Sequence, residues 1–364
     1  MATPKILISG YFGYENFGDE ALLYSLIKSL LELGTKRQNI TVLSNNPQFT
    51  ARAFNVNSIN RWNIFDFLNA ITTHNSLIFT GGLFQDKTSF KSFFYYFCQL
   101  FLAGVLQKTI LFYGSGIGPI NRKSSRALFD LGIKAVNVIS VRDETSMSYI
   151  KDRTNAIITC DPVWSIEPIF TFQEKLPNVN WELPIIGISL RSDKNLKLNY
   201  MSNMAEKIAR VTTELKEWQV LLIPCMPKED LPVLYEFYDL LTRKMSNPSK
   251  AIILDNFTQL HILEQAGILA RCDVMVGMRY HSLLVPLAYG KPVFGLVYDQ
   301  KVKSLIEFSE QIGVSFREDF DPAWNYFWQN IQHSSAVAQK AAEKAKQIHR
   351  RNLEILQRLL WVNT

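Results

Sequence analysis

The sequence predicts two doubly wound α/β domains facing each other across a cleft, with a helix closing the chain. Three observations carry that prediction. Short aliphatic or β-branched runs alternate with helix-length amphipathic segments over residues 1–165, a rhythm that specifies parallel strands joined by crossover helices. It breaks at 166–184, where Pro168, Pro177 and Pro184 stand with Asn178 and Asn180 and no periodicity is visible; such a composition reads as a linker. Alternation resumes over 185–334. At roughly 150 residues per domain, a length of 364 residues suits two domains.

In the first domain, strands are expected at 5–9, 40–43, 76–79, 109–113, 138–141 and 156–159. After the first of them, Leu22, Leu23, Leu26, Ile27, Leu30 and Leu31 recur at the i, i+3, i+4 spacing of one buried helix face. Gly34 supplies the stop. In the second domain, strands at 185–190, 220–223, 251–254, 273–276 and 292–297 alternate with helices at 199–217, 230–244, 258–271 and 282–289. Residues 335–364 form the terminal helix, and its segment 340–358 carries six basic and two acidic residues.

Composition narrows the function classes. A hydrophobic fraction of 47% with 20% charged residues is that of a packed globular chain. The net charge, 39 − 33 = +6, suits an anionic partner without naming it. Cys98, Cys160, Cys225 and Cys272 lie far apart with no CxxC pair, which argues against a zinc cluster or a disulfide scaffold; they read as buried thiols. No P-loop, GxSxG elbow, HExxH or strand-end DxD pair occurs, so neither metal nor cofactor is expected. Nucleic-acid signatures are missing as well. The start, MATPKILISG, has no basic region followed by a long apolar one. The longest apolar stretch, 93–106, is interrupted by Gln99 and falls short of the ~20 residues needed to span a bilayer. A cytoplasmic protein is the expectation.

In open parallel sheets, ligands bind beyond the carboxyl ends of the strands, and the unusual residues of this chain fall there. The first strand runs into a loop with Gly10, Gly13 and Gly18, followed by Asp19 and Glu20 at a helix start. Those acids either complement the helix dipole or touch a substrate. The third strand runs into Thr80-Gly81-Gly82-Leu83-Phe84-Gln85-Asp86 and the fourth into Gly114-Ser115-Gly116-Ile117-Gly118-Pro119. Three glycine-rich loops on one sheet edge suit a binding surface. Arg142-Asp143 and Asp161-Pro162 follow the next two strands and read as a structural ion pair.

The second domain is sharper. Arg191 follows Gly187-Ile188-Ser189-Leu190, and Gly277-Met278-Arg279-Tyr280-His281 leads from a strand into a helix. Free backbone N–H groups and the dipole at a helix start favour an anion. A guanidinium there recognises carboxylate or phosphate with two parallel hydrogen bonds, and His281 adds a titratable ring. His74, His261, His333 and His349 read as ordinary structural histidines, and Lys291 as part of an exposed turn. Tyr298-Asp299 either contacts a ligand or caps the segment after it.

The run Asn16-Phe17-Gly18-Asp19-Glu20-Ala21, then Gly81-Gly82-Leu83-Phe84-Gln85-Asp86, Gly116-Ile117-Gly118-Pro119, Val141-Arg142-Asp143, Asp161-Pro162, Gly187-Ile188-Ser189-Leu190-Arg191, Gly277-Met278-Arg279-Tyr280-His281 and Tyr298-Asp299-Gln300-Lys301-Val302 resembles the polysaccharide pyruvyl transferases of the CsaB type. The matches run in order over about residues 8–303. Thr80 stands where a third glycine is common, Phe84 where leucine is usual and Ser115 where glutamine is frequent; all three lie in the amino-terminal domain.

The resemblance implies a GT-B-like pair of Rossmann-type domains. It also implies transfer of the pyruvyl group of phosphoenolpyruvate onto two hydroxyls of a sugar in a cell-surface polysaccharide or its lipid-linked precursor, as a ketal, with release of phosphate. Arg191, Arg279 and His281 become the phosphoenolpyruvate site in the carboxy-terminal domain. Asn16, Asp19, Gln85, Asp86 and Ser115 become the acceptor side. Phosphoenolpyruvate carries about −3 near neutral pH, which two guanidinium forks and a helix pole suit. His281 is the candidate acid for the enol methylene, or else a cationic ligand of the phosphate. Asp19 is the candidate base or hydroxyl-orienting group on the opposite wall of the cleft.

Two other classes remain open at this point: a nucleotide-sugar glycosyltransferase on the same architecture, told apart by its product, and a noncatalytic carbohydrate- or lipid-binding protein. The aromatic run Phe93-Phe94-Tyr95-Tyr96-Phe97 reads as core. With the basic tail it also offers a peripheral contact at the inner face of the plasma membrane if the acceptor is lipid-linked.

Overall fold

Strands covered on both faces are near-continuous apolar runs, and the central strands of this protein have that character. A computed structural model describes residues 4–87, 89–150, 155–215 and 218–361. They group into two compact units, the first comprising Met1–Tyr14, Asp19–Pro162 and Gln347–Thr364, the second Glu15–Gly18 and Val163–Lys346.

Unit 1 is built from β1 (Ile6–Phe12), α1 (Phe17–Glu32, whose first two residues group with unit 2), β2 (Ile40–Ser44), α2 (Pro47–Phe54), β3 (Asn57–Asn60) and α3 (Ile64–Thr73). The chain continues through β4 (Ser76–Phe79), β5 (Gly82–Leu83), α4 (Phe90–Val105), β6 (Thr109–Ile117), α5 (Lys123–Gly132), β7 (Val138–Val141), α6 (Glu144–Met147) and β8 (Ala156–Ile158). The sheet order is β3-β2-β1-β4-β6-β7-β8, with the two-residue β5 beside β6. The ladders are parallel, as in the pairing of Leu7 with Thr41 and Leu77. On α1, Leu22, Leu23, Leu26, Ile27 and Leu30 are all buried. Gly34 follows in the left-handed region, φ 87°, donating its N–H to the Leu31 carbonyl, a helix stop suited to glycine. Strand β3 was not expected: its sequence, NSIN, has one apolar residue and lies at the sheet edge, where burial demands least of it.

Phe84 packs at the centre of an aromatic core, its ring stacked on Phe112 at 5.3 Å and edge-on to Phe79 at 5.8 Å. The larger side chain at this position is thus accommodated by neighbouring rings. In α4, Phe93, Tyr96, Phe97 and Leu100 are buried while Phe94, Cys98 and Phe101 face outward. The aromatic run is therefore mainly core, and Cys98, unlike the other three thiols, is exposed. Among the described residues no helix is long and apolar enough to cross a membrane.

Unit 2 contains β9 (Ile185–Ser189), α7 (Leu198–Glu214), β10 (Gln219–Leu222), α8 (Pro227–Thr242), β11 (Ala251–Ile253), α9 (Ile262–Arg271), β12 (Val274–Gly277) and α10 (Tyr280–Ala288). It ends with β13 (Val293–Val297), α11 (Gln300–Phe308), β14 (Ile312–Ser315), α12 (Phe320–Gln329) and the start of α13 (Ile331–Trp361). Its sheet runs β11-β10-β9-β12-β13-β14, all parallel, which is the doubly wound order 3-2-1-4-5-6. The elements α11, β14 and α12 were not expected from the sequence. The stretch 166–184 packs with unit 2: Phe172 is fully buried against Trp181 at 4.7 Å, and Ile169 donates its N–H to the Leu263 carbonyl. Pro227 opens α8 at its first turn, and His261 with Glu264 closes a capping box on α9.

Candidate functional site

A doubly wound sheet binds ligands where its strand order reverses. In unit 2 that point lies between β9 and β12, which pair through Val276 with Ile188 and Gly277 with Ser189. Arg191 leaves the end of β9 and Arg279 the end of β12, so the fold brings these two cations, far apart in sequence, to one edge. Arg279 is the N-cap of α10, and its side chain makes no cap hydrogen bond. The guanidinium is held by two acids of the first turn of α8. Its Nε donates to Asp230 Oδ1 and Oδ2 at 3.1 and 3.2 Å, and its Nη2 donates to Asp230 Oδ1 and to Glu229 Oε2, the latter at 2.9 Å. Asp230 is fully buried and also accepts the Met226 N–H at 2.8 Å. Burial works against the charge of Arg279, but the Asp230 carboxylate outweighs it and holds the guanidinium above its ordinary pKa.

Arg191 converges on the same place. Its Nη2 lies 3.2 Å from Glu229 Oε2, its Nη1 donates to the Tyr298 hydroxyl at 3.3 Å, and its guanidinium sits 5.2 Å from the Tyr298 ring centroid. Its Nε is buried without a hydrogen-bond partner among the described residues. Burial pushes the Tyr298 phenol up to about 12, with Arg191 pulling the other way, so it stays neutral. Asp299, beside it, caps α11 by accepting the Val302 N–H. Glu229 and Asp230 were missed in the sequence; the available signal was a pair of acids in the first turn of the helix that follows a parallel strand, at the edge where ligands bind.

His281 lies in the first turn of α10, two residues after Arg279. Its ring packs on the segment 15–18 that groups with unit 2. A Cβ on Gly18 would lie 2.1 Å from His281 Nδ1, so any larger residue there must displace the ring. The segment is tied down by the Phe17 N–H, which donates to the Cys225 carbonyl at 2.8 Å, and by the Phe17 ring against Phe257 at 5.8 Å. Asn16 Oδ1 accepts the Gly18 N–H at 3.2 Å, so it shapes the loop that carries His281's neighbour.

The remaining sequence-derived candidates belong to unit 1. Asp19 faces Gly81, whose ideal Cβ would be 3.5 Å from its Oδ1. Gln85 is half-buried. Asp86 is buried, and its two oxygens accept the N–H groups of Asn121 and Arg122 at 2.8 Å each. Ser115 is fully buried and donates to the Phe79 carbonyl at 3.1 Å. Both side chains are spent on holding their own loops, because a buried polar group must find its partner inside the protein. Arg142 pairs with the fully buried Asp161 at 2.7 Å, the structural ion pair expected. Lys291 is paired with Asp273 at 3.0 Å.

Arg61 did not stand out in the sequence. It is 5% exposed, donates to the Gly10 carbonyl and the Tyr96 hydroxyl, and lies within 5.9 Å of the ring centroids of Tyr11, Tyr14, Trp62, Tyr95 and Tyr96. Among the described residues no group of three or more His, Cys, Asp or Glu side chains is placed to hold a metal ion.

A family model described as polysaccharide pyruvyl transferase matches residues 16–300. The chain belongs to that family. The match spans both units and takes in Asn16, Asp19, Arg191, Arg279 and His281. No curated protein sequence matches significantly. Among solved structures, this family member is similar to Anabaena HepE in complex with UDP-glucose, with 12% identity and a TM-score of 0.59 over 97% of this chain and 99% of that one. It is similar to a UDP-N-acetylglucosamine 2-epimerase at 14% identity and a TM-score of 0.67, covering 98% and 96% of the two chains. The Neisseria meningitidis UDP-GlcNAc 2-epimerase bound to UDP-GlcNAc gives 11% and 0.62 over 96% and 99%. Likeness at such identities concerns the fold, and it makes the paired Rossmann-type units GT-B-like.

Proposed function

We propose that this family member transfers the pyruvyl group of phosphoenolpyruvate to two hydroxyls of a sugar in a polysaccharide or its lipid-linked precursor. The observation that carries the reading is the convergence of Arg191 and Arg279 on one oxygen position, at 3.2 and 2.9 Å, beside the start of α10 with His281. Two guanidiniums aimed at one point suit a polyanion of about −3 charge, and the oriented N–H groups of α10 add to the field.

In this reading a proton goes to the terminal methylene of the enol, making a methyl group and an oxocarbenium-like centre at C2. A sugar hydroxyl attacks C2, the bond from C2 to the phosphate oxygen breaks, and a second hydroxyl closes the ketal. Of the two hydroxyl protons lost, one balances the proton given to the methylene and the other leaves on phosphate. His281 serves as proton donor to the methylene, and Arg191 and Arg279 hold the carboxylate and phosphate. Asp19 is the group this reading gives to the acceptor hydroxyl.

The test is phosphate release from phosphoenolpyruvate with a panel of sugar acceptors, followed by the mass of the product. Arg279→Lys should raise the apparent KM for phosphoenolpyruvate about tenfold or more, since a point charge replaces a fork. His281→Gln should lower kcat about 100-fold. Release of a nucleoside diphosphate from a sugar nucleotide, with no phosphate from phosphoenolpyruvate, would establish a glycosyltransferase instead.

A further inference from the structure

We infer that Glu229 is a resident anion: its carboxylate occupies the two-arginine site and is exchanged for an oxyanion of the incoming substrate. The inference rests on the reading of Arg191 and Arg279 as the donor site. A single oxygen, Glu229 Oε2, receives Nη2 of both arginines at 3.2 and 2.9 Å. A bridging carboxylate or phosphate oxygen of a ligand would take the same position between the two forks.

The two acids of this cluster differ in their freedom. Asp230 is fully buried, and both its oxygens are engaged by Arg279 while one also accepts the Met226 N–H; it positions Arg279 and stays. The Glu229 side chain is 41% exposed, and it lies in the first turn of α8. A change of rotamer takes its head into water without moving the helix. Charge demands that exchange. With both acids in place, two guanidiniums face two carboxylates and the site is neutral. A polyanion entering beside Glu229 would meet a like charge in contact, at a partly buried site where repulsion is poorly screened. While the site is empty, Glu229 offsets the mutual repulsion of the two cations and holds Arg191 against Tyr298.

Calorimetric titration of the full chain and of Glu229→Gln and Glu229→Ala with phosphoenolpyruvate and, separately, with inorganic phosphate tests the exchange. The expected result is about two- to fivefold tighter binding of both anions by both variants, the scale of a lost competing ion pair. Equal or weaker binding in the variants overturns the inference and makes Glu229 a positioning residue. No heat with either anion in any of the three proteins overturns it too. If phosphate binds more tightly to the variants while phosphoenolpyruvate is no better a ligand than phosphate, the exchange stands and the donor assignment falls.

Discussion

Replacing Glu20 with Gln should abolish a pH dependence of stability that one buried carboxyl builds into unit 1. Glu20 is 4% exposed; its Oε1 accepts the Gly13 N–H at 2.7 Å, and its Oε2 is buried without a hydrogen-bond partner among the described residues. Burial pushes this carboxyl from 4.5 up to about 8, the Gly13 N–H opposing and the Asp19 charge adding to the rise. The folded protein therefore keeps a proton that the unfolded chain releases first. The stability this contributes is fully present below 4.5 and is lost as pH climbs toward 8. The gap, 8 − 4.5 = 3.5, at about 1.4 kcal/mol per pKa unit comes to about 5 kcal/mol in full, with about 3 kcal/mol gone by pH 7. Glutamine stays neutral and retains an oxygen for Gly13. Urea unfolding of both proteins between about pH 5 and about pH 8.5 should show the stability difference moving in favour of Glu20→Gln by about 4 kcal/mol. A difference that does not change with pH would refute the neutral buried carboxyl.

Two substitutions probe the site in unit 2. Gly18→Ala puts a methyl 2.1 Å from His281 Nδ1, so the ring must shift by about 1 Å; phosphate-release kinetics should show kcat falling about 100-fold, and an unchanged kcat would separate Gly18 from the chemistry. Asp230→Asn leaves Arg279 charged without its buried counter-ion. Chemical denaturation should record a loss of about 3 kcal/mol, and calorimetry a weaker grip on phosphoenolpyruvate; a variant as stable as the parent would show that the pair contributes nothing net.

Local pattern was enough for much of the architecture. The leucines of α1, the buried runs that became β4, β7 and β9, and the order in which strands and helices alternate are encoded at spacings of two to four residues, within reach of the periodicity of a single element. So was the placing of Arg191, Arg279 and His281 just past strand ends, because parallel topology sends every such end to the same sheet edge. Element boundaries at polar or short segments were not legible. Strand β3 has little to bury, and β14, IGVS, is four residues long with a glycine inside it, too short to show a period. Without that strand, α11 and α12 on either side of it lacked the alternation that marks the other helices.

Side-chain pairing was decided by the tertiary structure alone. Arg279 meets Asp230 across 49 residues of sequence and Glu229 across 50, and nothing in the local spacing of either acid announces that partner. The same holds for Gly18 under the His281 ring, for Phe172 docked in what composition marked as a linker, and for Asp86 and Ser115, whose polar atoms are spent on backbone groups more than thirty residues away. A sequence determines which residues are available at an edge through short-range periodicity. Which of them are engaged, buried or left to face a ligand depends on long-range packing, where each polar group takes the partner the fold brings within about 3 Å.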